Sequence, residues 1–369
     1  MRWSWKIARL CGIDVYIHGT FLLIVAAALA LPLLGGGGPH AALASVVFIL
    51  LAFGCVVLHE LGHALMARRF GVRTRDITLY PIGGLARLER IPRNPHEELW
   101  IAIAGPAVNV ALVGLIALVF GVHRLQWDQS AVTLASLPAR LFWVNAALAG
   151  FNMLPAFPMD GGRVLRAFLA ERLPYAQATQ VAAAVGQAMA FAFGFIGLLI
   201  NPMLLFVAFF VYVAAGEEAA TVQTELAFEG SPVKAAMMTH YTALAPDDPL
   251  SHAVEELLAG AQHDFPVMRG EELAGVLTRQ ALIASLAAQG PAVSVSEVMQ
   301  PAPTPVSAGT PLMDAFRRMN EEELTTLPVV DADRLVGLLT SENIGEFLMI
   351  QTALQPRRRL LNAEQPGGY

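Results

Sequence analysis

The sequence has 369 residues, of which 55% are hydrophobic and only 15% charged, and its mean hydropathy is +0.54. This composition lies well outside the average for soluble proteins and indicates a membrane protein. The net charge of −6 is unevenly distributed: residues 1–229 carry 15 Lys and Arg against 13 Asp and Glu, whereas residues 230–355 carry 6 against 16. A C-terminal part this acidic argues against nucleic-acid binding. Cys11 and Cys55 are too few for a disulfide framework, so we expect free thiols.

Apolar stretches near the length of a membrane-spanning helix recur through the N-terminal part of the chain. They lie at Phe21–Leu34, His40–Arg68, Leu99–Val122, Pro138–Asn152, Val181–Ile200 and Met203–Ala215. We therefore predict a multi-pass α-helical membrane domain of about six transmembrane helices, followed by a soluble α/β module. The first stretch is similar to a cleaved signal peptide, but His18-Gly19-Thr20 has no obvious place in one, which favours a retained span.

Basic residues predict the orientation in the membrane. They follow the second and fourth apolar stretches, at Arg68, Arg69, Arg73, Arg75, Arg87, Arg163, Arg166 and Arg172. By the positive-inside rule both segments are cytoplasmic. Six spans then place the N-terminus and the soluble module in the cytoplasm as well. The Ala-, Leu- and Arg-rich composition favours a bacterial cell membrane.

The segment Val72–Leu88 alternates between polar and apolar residues and contains turn residues at Pro81 and Gly83-Gly84. This pattern predicts a membrane-associated β-hairpin. The hairpin is either a simple connector or an edge strand that pairs with an extended substrate, and we expect that pairing near Thr78.

The motif His59-Glu60-Leu61-Gly62-His63 stands near the end of the second apolar stretch. Residues four apart share one face of a helix, so both imidazoles can bind one metal ion. Glu60 is then placed to take a proton from a water molecule. Ionisable side chains are costly at membrane depth, which favours a metal site over a chance occurrence of the motif.

A catalytic zinc site needs a third protein ligand. Asp160 is the best candidate, because it follows a span interrupted by Pro155 and Pro158 and precedes Gly161-Gly162. An irregular backbone there can bring its carboxylate beside the second span, at the same cytoplasmic depth. His18 stays open as an alternative.

Two motifs together, His59–His63 and Asn152-Met153-Leu154-Pro155-Ala156-Phe157-Pro158-Met159-Asp160-Gly161, resemble the site-2 protease family of intramembrane zinc metalloproteases. The resemblance extends to Gly83-Gly84 and to Gly105-Pro106-Ala107-Val108-Asn109. It implies one zinc ion held by His59, His63 and Asp160, with Glu60 as general base. It also implies that Asn152 lies near the scissile carbonyl. Asn109 is either a helix-packing contact or part of the site.

The C-terminal part contains an internal repeat with a constant offset. The matches include Val233 with Val295, Pro249 with Pro311, Phe265-Pro266-Val267 with Leu327-Pro328-Val329, and Gly275 to Thr278 with Gly337 to Thr340. The predicted domains are a membrane domain at 1–216, a linker at 217–230, repeat units at 231–292 and 293–354, and a disordered tail at 355–369.

The repeat resembles a tandem pair of CBS domains, which implies an adenine nucleotide in the cleft between the units. Thr278, Thr340 and Asn343 are the expected binding residues. An acid that holds ribose in the family is replaced by Ala281 in the first unit and by Asn343 in the second, so Thr340 with Asn343 is the better half-site. The alternative is a module for packing or homodimer formation without a ligand.

Three interpretations follow from the sequence. The first is a zinc endopeptidase that lies in the lipid bilayer and cleaves a transmembrane segment of another protein, regulated through the CBS pair. The second is a metalloprotease with a downstream glutamate as third ligand, for which Glu97, Glu98, Glu217 and Glu218 are candidates. The third is a CBS-regulated transporter, which has no need of a base beside two histidines.

Overall fold

The computed structural model describes residues 3–81, 83–88, 92–126, 132–332 and 334–363. The chain divides into two compact units, 1–222 and 223–369. The boundary falls within the segment 217–230 that the sequence predicts as a linker.

The first unit contains a four-stranded sheet. Its strands are β1 (Ser4–Leu10), β2 (Ile13–His18), β3 (Thr74–Tyr80) and β4 (Gly83–Leu88). The strands lie in the order β1-β2-β3-β4; β2 runs parallel to β3, and the other pairs are antiparallel. The predicted hairpin is confirmed as β3 and β4, but the N-terminal strands were not predicted. Within this sheet β3 is paired on both sides, and β4 is an edge.

The helices of the first unit follow the predicted apolar stretches. They are α1 (Phe21–Leu34), α2 (Gly38–Arg69), α3 (Pro95–Phe120), α4 (Leu137–Asn152), α5 (Asp160–Ala170), α6 (Tyr175–Leu199) and α7 (Met203–Phe228). Within the described residues, five helices are long and apolar enough to cross a membrane: α2, α3, α6, α7, and α4 together with the turn before it.

The remaining predicted span, α1, has only 14 residues. At 1.5 Å per residue it is about 21 Å long, shorter than the roughly 30 Å core of a bilayer. Five of the about six predicted transmembrane helices thus have spanning length, and α1 is a shorter apolar helix. The sequence showed an apolar stretch, but the chain turns at Gly35–Gly37 before the helix reaches spanning length.

The second unit contains the two predicted repeats. Its elements are α8 (Leu250–Ala259), β5 (Phe265–Arg269), β6 (Glu272–Leu277), α9 (Arg279–Gln289), α10 (Val295–Val298), β7 (Gln300–Pro301), β8 (Val306–Ser307), α11 (Leu312–Glu321), β9 (Thr326–Asp331), β10 (Arg334–Thr340) and α12 (Ser341–Ala363). They form two three-stranded sheets, ordered β5-β6-β7 and β10-β9-β8.

Each repeat has its own hydrophobic core, built from equivalent positions. Leu250, Phe265 and Leu277 are buried in the first core. Their counterparts in the second core, at the offset of the sequence repeat, are Leu312, Leu327 and Leu339. The repeat found in the sequence is thus a repeat of core positions.

The last helix extends beyond the predicted end of the second repeat. The described part of α12 continues to Ala363, so the prediction of disorder from Gln355 differs from the structure over 355–363. Residues 364–369 of the predicted tail lie outside the described residues.

Candidate metal centre

Helix α2 places His59 and His63 on one face, as their spacing predicts. Both residues are buried, and their Nε2 atoms lie 3.0 Å apart. The rings meet edge to face, with centroids 4.7 Å apart. Both Nε2 atoms are therefore directed toward one small volume.

Asp160 supplies an oxygen to the same volume. Its Oδ2 lies 3.2 Å from His59 Nε2 and 3.2 Å from His63 Nε2, although the two helices that carry these residues are far apart in the sequence. Asp160 is the first residue of α5, directly after the irregular segment that ends α4. The sequence-based placement of Asp160 beside the histidines agrees with this geometry.

Two glycines allow α5 to begin so close to that irregular segment. A Cβ atom on Gly161 would lie 2.2 Å from the carbonyl oxygen of Leu154. A Cβ atom on Gly162 would lie 2.6 Å from the backbone nitrogen of Phe157. Glycine is needed at both positions because the backbones are in contact.

The hydrogen bond of His63 Nδ1 determines the tautomer of this ring. His63 Nδ1 lies 2.7 Å from the carbonyl oxygen of Ile101 in α3. A carbonyl only accepts, so Nδ1 must carry the proton and donate it. The Nε2 lone pair of the neutral ring then faces Asp160, as a metal ligand requires.

A chain of hydrogen bonds determines the tautomer of His59 in the same way. Asn145 Nδ2 donates to the carbonyl oxygen of Leu141 over 2.8 Å, which orients the Asn145 amide. Its Oδ1 accepts from Asn109 Nδ2 over 2.8 Å, so Asn109 Oδ1 must accept from His59 Nδ1 over 2.5 Å. Asn109 is fully buried and contacts the site. Sequence analysis missed Asn145, although a polar residue in an apolar span is a usable indication.

Gly105 brings α3 against the two histidines. A Cβ atom there would lie 2.2 Å from His63 Nε2 and 2.7 Å from His59 Nε2. Gly62 makes the reciprocal approach, since its Cβ atom would lie 2.8 Å from the carbonyl oxygen of Ala104. Small residues allow this close contact between apolar helices. The Gly105–Asn109 motif thus provides both close packing and a polar contact.

The donor set fits zinc. Two imidazole nitrogens and one carboxylate oxygen are common ligands of a catalytic zinc, with a fourth position left for water or substrate. Among the described residues, His59, His63 and Asp160 are the His, Cys, Asp and Glu side chains grouped closely enough to hold a metal ion. His18 instead contacts Thr20 Oγ1 at 2.8 Å and stacks on Tyr80.

Glu60 lies against the edge strand β4. Its carboxylate accepts a hydrogen bond from the backbone N–H of Ala86. A Cβ atom on Gly84 would lie 2.7 Å from Glu60 Cγ. The edge of the sheet therefore runs beside the residue that sequence analysis assigned as general base.

Asn152 is the last residue of α4 and is half-buried. Within the described part of the chain, its side-chain amide makes no hydrogen bond to protein. Three of the four glutamates considered as alternative ligands have other partners: Glu98 and Glu218 bind Arg166, and Glu97 accepts from Asn94 over 3.4 Å. Glu217 is not grouped with the two histidines either.

Two family models match the chain: Peptidase family M50 over residues 47–127 and 122–193, and the CBS domain over residues 233–288 and 295–349. A zinc metalloprotease of Methanocaldococcus jannaschii is 32% identical over 351 residues, covering 95% of this chain and 97% of that protein. This chain belongs to peptidase family M50, the site-2 proteases. Rip3 of Mycobacterium tuberculosis is 28% identical and covers 99% of this chain and 98% of its own length.

A solved site-2 protease from M. jannaschii shares 36% identity and covers 59% of this chain and 95% of its own, with a TM-score of 0.45. The family models and the M. jannaschii relative show that the protein is a zinc metalloprotease of the site-2 type that carries a tandem CBS pair. The resemblance inferred from its motifs is confirmed.

The CBS pair contains a cavity of about 940 Å³. Its lining includes Asp264, Thr278, Arg279, Ala284 and Glu342. Thr340 and Asn343 are not among its lining residues, whereas Glu342, which lies between them in the sequence, is. Asp264 was not singled out from the sequence.

The threonines of the CBS motif cap helices. Thr278 Oγ1 accepts from the backbone N–H of Ala281 over 3.2 Å, and Thr340 Oγ1 accepts from that of Asn343 over 3.2 Å. A side-chain oxygen at this position satisfies a free N–H of the first turn. Thr340 also donates to Asn343 Oδ1 over 2.8 Å.

Glu342 adds negative charge to the cavity. Burial raises its pKa, but hydrogen bonds, first from its own backbone N–H and then from His263, outweigh burial and hold the pKa below its usual range. The side chain is therefore ionised at neutral pH.

The packing of α3 against the histidines predicts the effect of Gly105→Ala. The new methyl group would separate the two imidazoles, so zinc per chain should fall well below that of the wild type, as measured by atomic absorption on detergent-purified protein. Gly114→Ala is the matched control, because a Cβ atom at that position of α3 meets nothing within 4 Å. Full zinc occupancy in a folded Gly105→Ala protein would contradict the geometry.

Proposed function

We propose that this protein cleaves a transmembrane segment of another membrane protein, with His59, His63 and Asp160 as the ligands of one zinc ion. The convergence of these three buried donors, within a unit of apolar helices, carries the proposal. It requires no further ligand from the glutamates considered above. The transporter interpretation leaves this donor set unexplained.

The chain's own residues have distinct tasks in this reaction. When bound, zinc polarises a water molecule and the scissile carbonyl. Glu60 follows directly after one ligand and takes the proton of the attacking water. The unpaired amide of Asn152 donates to the carbonyl oxygen as negative charge develops there. Ile101 and Asn109 hold the two imidazoles in the tautomer that keeps Nε2 unprotonated.

The edge strand β4 offers a way to hold the substrate. A helical segment has its carbonyls in hydrogen bonds, so it must unwind before hydrolysis. An unwound segment can pair with β4, which lies beside Glu60. The sequence suggested this pairing near Thr78, but Thr78 lies on β3, whose two neighbours are β2 and β4. The available edge is therefore β4.

The pairing of β2 with β3 supports a cytoplasmic N-terminus. Strand β3 follows the basic C-terminal end of α2, and β2 lies parallel beside it. Helix α1 must then connect this level to the other end of α2. We therefore place α1, although it is short, as the segment that returns the chain across the membrane. In the same arrangement the protein lies in a bacterial cell membrane, and its CBS pair faces the cytoplasm.

The role of Glu60 predicts that Glu60→Gln abolishes hydrolysis while zinc binding is retained. The measurement compares cells that produce the wild type or Glu60→Gln, mapping new protein termini that fall inside membrane-spanning segments. Such termini should appear only with the wild type and with the control Glu97→Gln. The same set of termini from Glu60→Gln cells would contradict the assignment.

We also propose that an adenine nucleotide binds in the CBS cavity and regulates the protease. A volume of about 940 Å³ suits a ligand of this size. Residues Ala227 and Phe228, at the end of α7, belong to the core of the second CBS repeat. Formation of a homodimer through the CBS pair is the alternative for a module without a ligand.

Calorimetry with AMP, ADP and ATP tests the nucleotide proposal on the full chain. At least one nucleotide should bind to the wild type, and Ala284→Phe should reduce the heat because the ring projects into the cavity. Ala288→Phe is the control, since this exposed residue of α9 does not line the cavity. An absence of heat with all three nucleotides would refute the proposal.

A further inference from the structure

A second group of ionisable side chains lies in the membrane unit, away from the metal ligands. Arg166 of α5 donates from Nε and Nη2 to Glu98 Oε1 of α3, over 2.8 and 2.5 Å. Its Nη1 donates to Glu218 Oε1 of α7 over 2.6 Å. Arg166 and Glu98 are fully buried. One guanidinium thus joins three helices.

Two aromatic rings enclose the same guanidinium. Its Cζ lies 4.9 Å from the ring centroid of Phe157 and 5.1 Å from that of Tyr175. Stacking of this kind is attractive and restricts the orientation of the guanidinium plane. Arg166 is therefore held by contacts on its faces as well as at its edges.

These contacts involve residues on both sides of Asp160 in the sequence. Phe157 lies just before Asp160, and Arg166 follows Asp160 on helix α5. Gly161 and Gly162 pack directly on the backbone of this segment. Arg166 thereby joins the segment before Asp160 to the helix after it, and joins both to α3, the helix that contacts His59 and His63.

Stability alone is a poor explanation for this network. Desolvation offsets much of the attraction in a buried ion pair. In addition, Glu98 Oε2 and the Tyr175 hydroxyl are buried without a hydrogen-bond partner among the described residues. Fully buried ionisable groups that add little net stability are candidates for a positioning role.

We propose that Arg166 is a positioning residue for zinc binding: through Glu98, Glu218 and Phe157 it holds Asp160 within reach of the two histidines. This inference rests on the proposed zinc site. The network acts on the placement of the carboxylate and does not touch the reacting atoms.

The test measures zinc affinity by competition with a chromophoric chelator, using full-length protein in detergent. Arg166→Met should weaken zinc binding by about 10- to 100-fold, the usual effect of removing a group that orients a metal ligand. Arg166→Lys, which keeps the charge, should recover part of the affinity. The visible absorption of Co²⁺-loaded protein should change in Arg166→Met, because the third ligand is displaced.

Controls separate positioning from general stability. Arg172→Met removes an exposed arginine just after α5 and should leave zinc affinity and the Co²⁺ spectrum unchanged. Thermal unfolding of the metal-free variants reports stability alone. If Arg166→Met does not fold, Glu218→Gln decides, because it removes one ion pair at a half-buried position and should still weaken zinc binding.

Wild-type affinity and spectrum in a folded Arg166→Met protein, or in Glu218→Gln when the former does not fold, would overturn this inference. A wild-type protein that binds no zinc would instead refute the proposed metal site. The two failures are therefore distinguishable.

Discussion

The candidate metal centre depends on the close crossing of α2 and α3. At Gly105 the backbone of α3 approaches two imidazoles where even a methyl group would not fit. The same helix supplies the carbonyl of Ile101 and the amide of Asn109, which accept hydrogen bonds from His63 and His59. One helix contact therefore sets both the spacing and the tautomers of the histidines. Asp160, the first residue of α5, completes the group of donors. Glycine at positions 161 and 162 lets α5 begin in contact with the backbone of the segment before it.

Much of this site could be predicted because its determinants are local in the sequence. Helical periodicity places His59 and His63 together, and the broken span before Asp160 indicates a carboxylate that enters the bundle. Other parts depend on contacts that no local pattern encodes. Strand β2 pairs with β3 although α1 and α2 lie between them in the sequence, and Asn145 acts through Asn109 rather than on a ligand directly. The predicted edge was likewise assigned to the wrong strand of the hairpin.

In the CBS pair, too, some features could be predicted from the sequence and others could not. The constant offset between the repeats predicted the two cores, because buried positions recur in both units. The position of the cavity was harder to predict. Thr340 and Asn343 satisfy each other at the start of α12, whereas the cavity contains Thr278 and Asp264. Its position depends on how the two repeats pack together, and a single repeat does not contain that information.

Zinc content tests the central claim most directly, since it requires no known substrate. Detergent-purified wild-type protein should contain about one zinc per chain, and Asp160→Ala should contain clearly less, because a catalytic zinc needs three protein ligands. This result would join α2 and α5 in one site. A wild-type protein without zinc, or an Asp160→Ala protein with wild-type zinc content, would contradict the account.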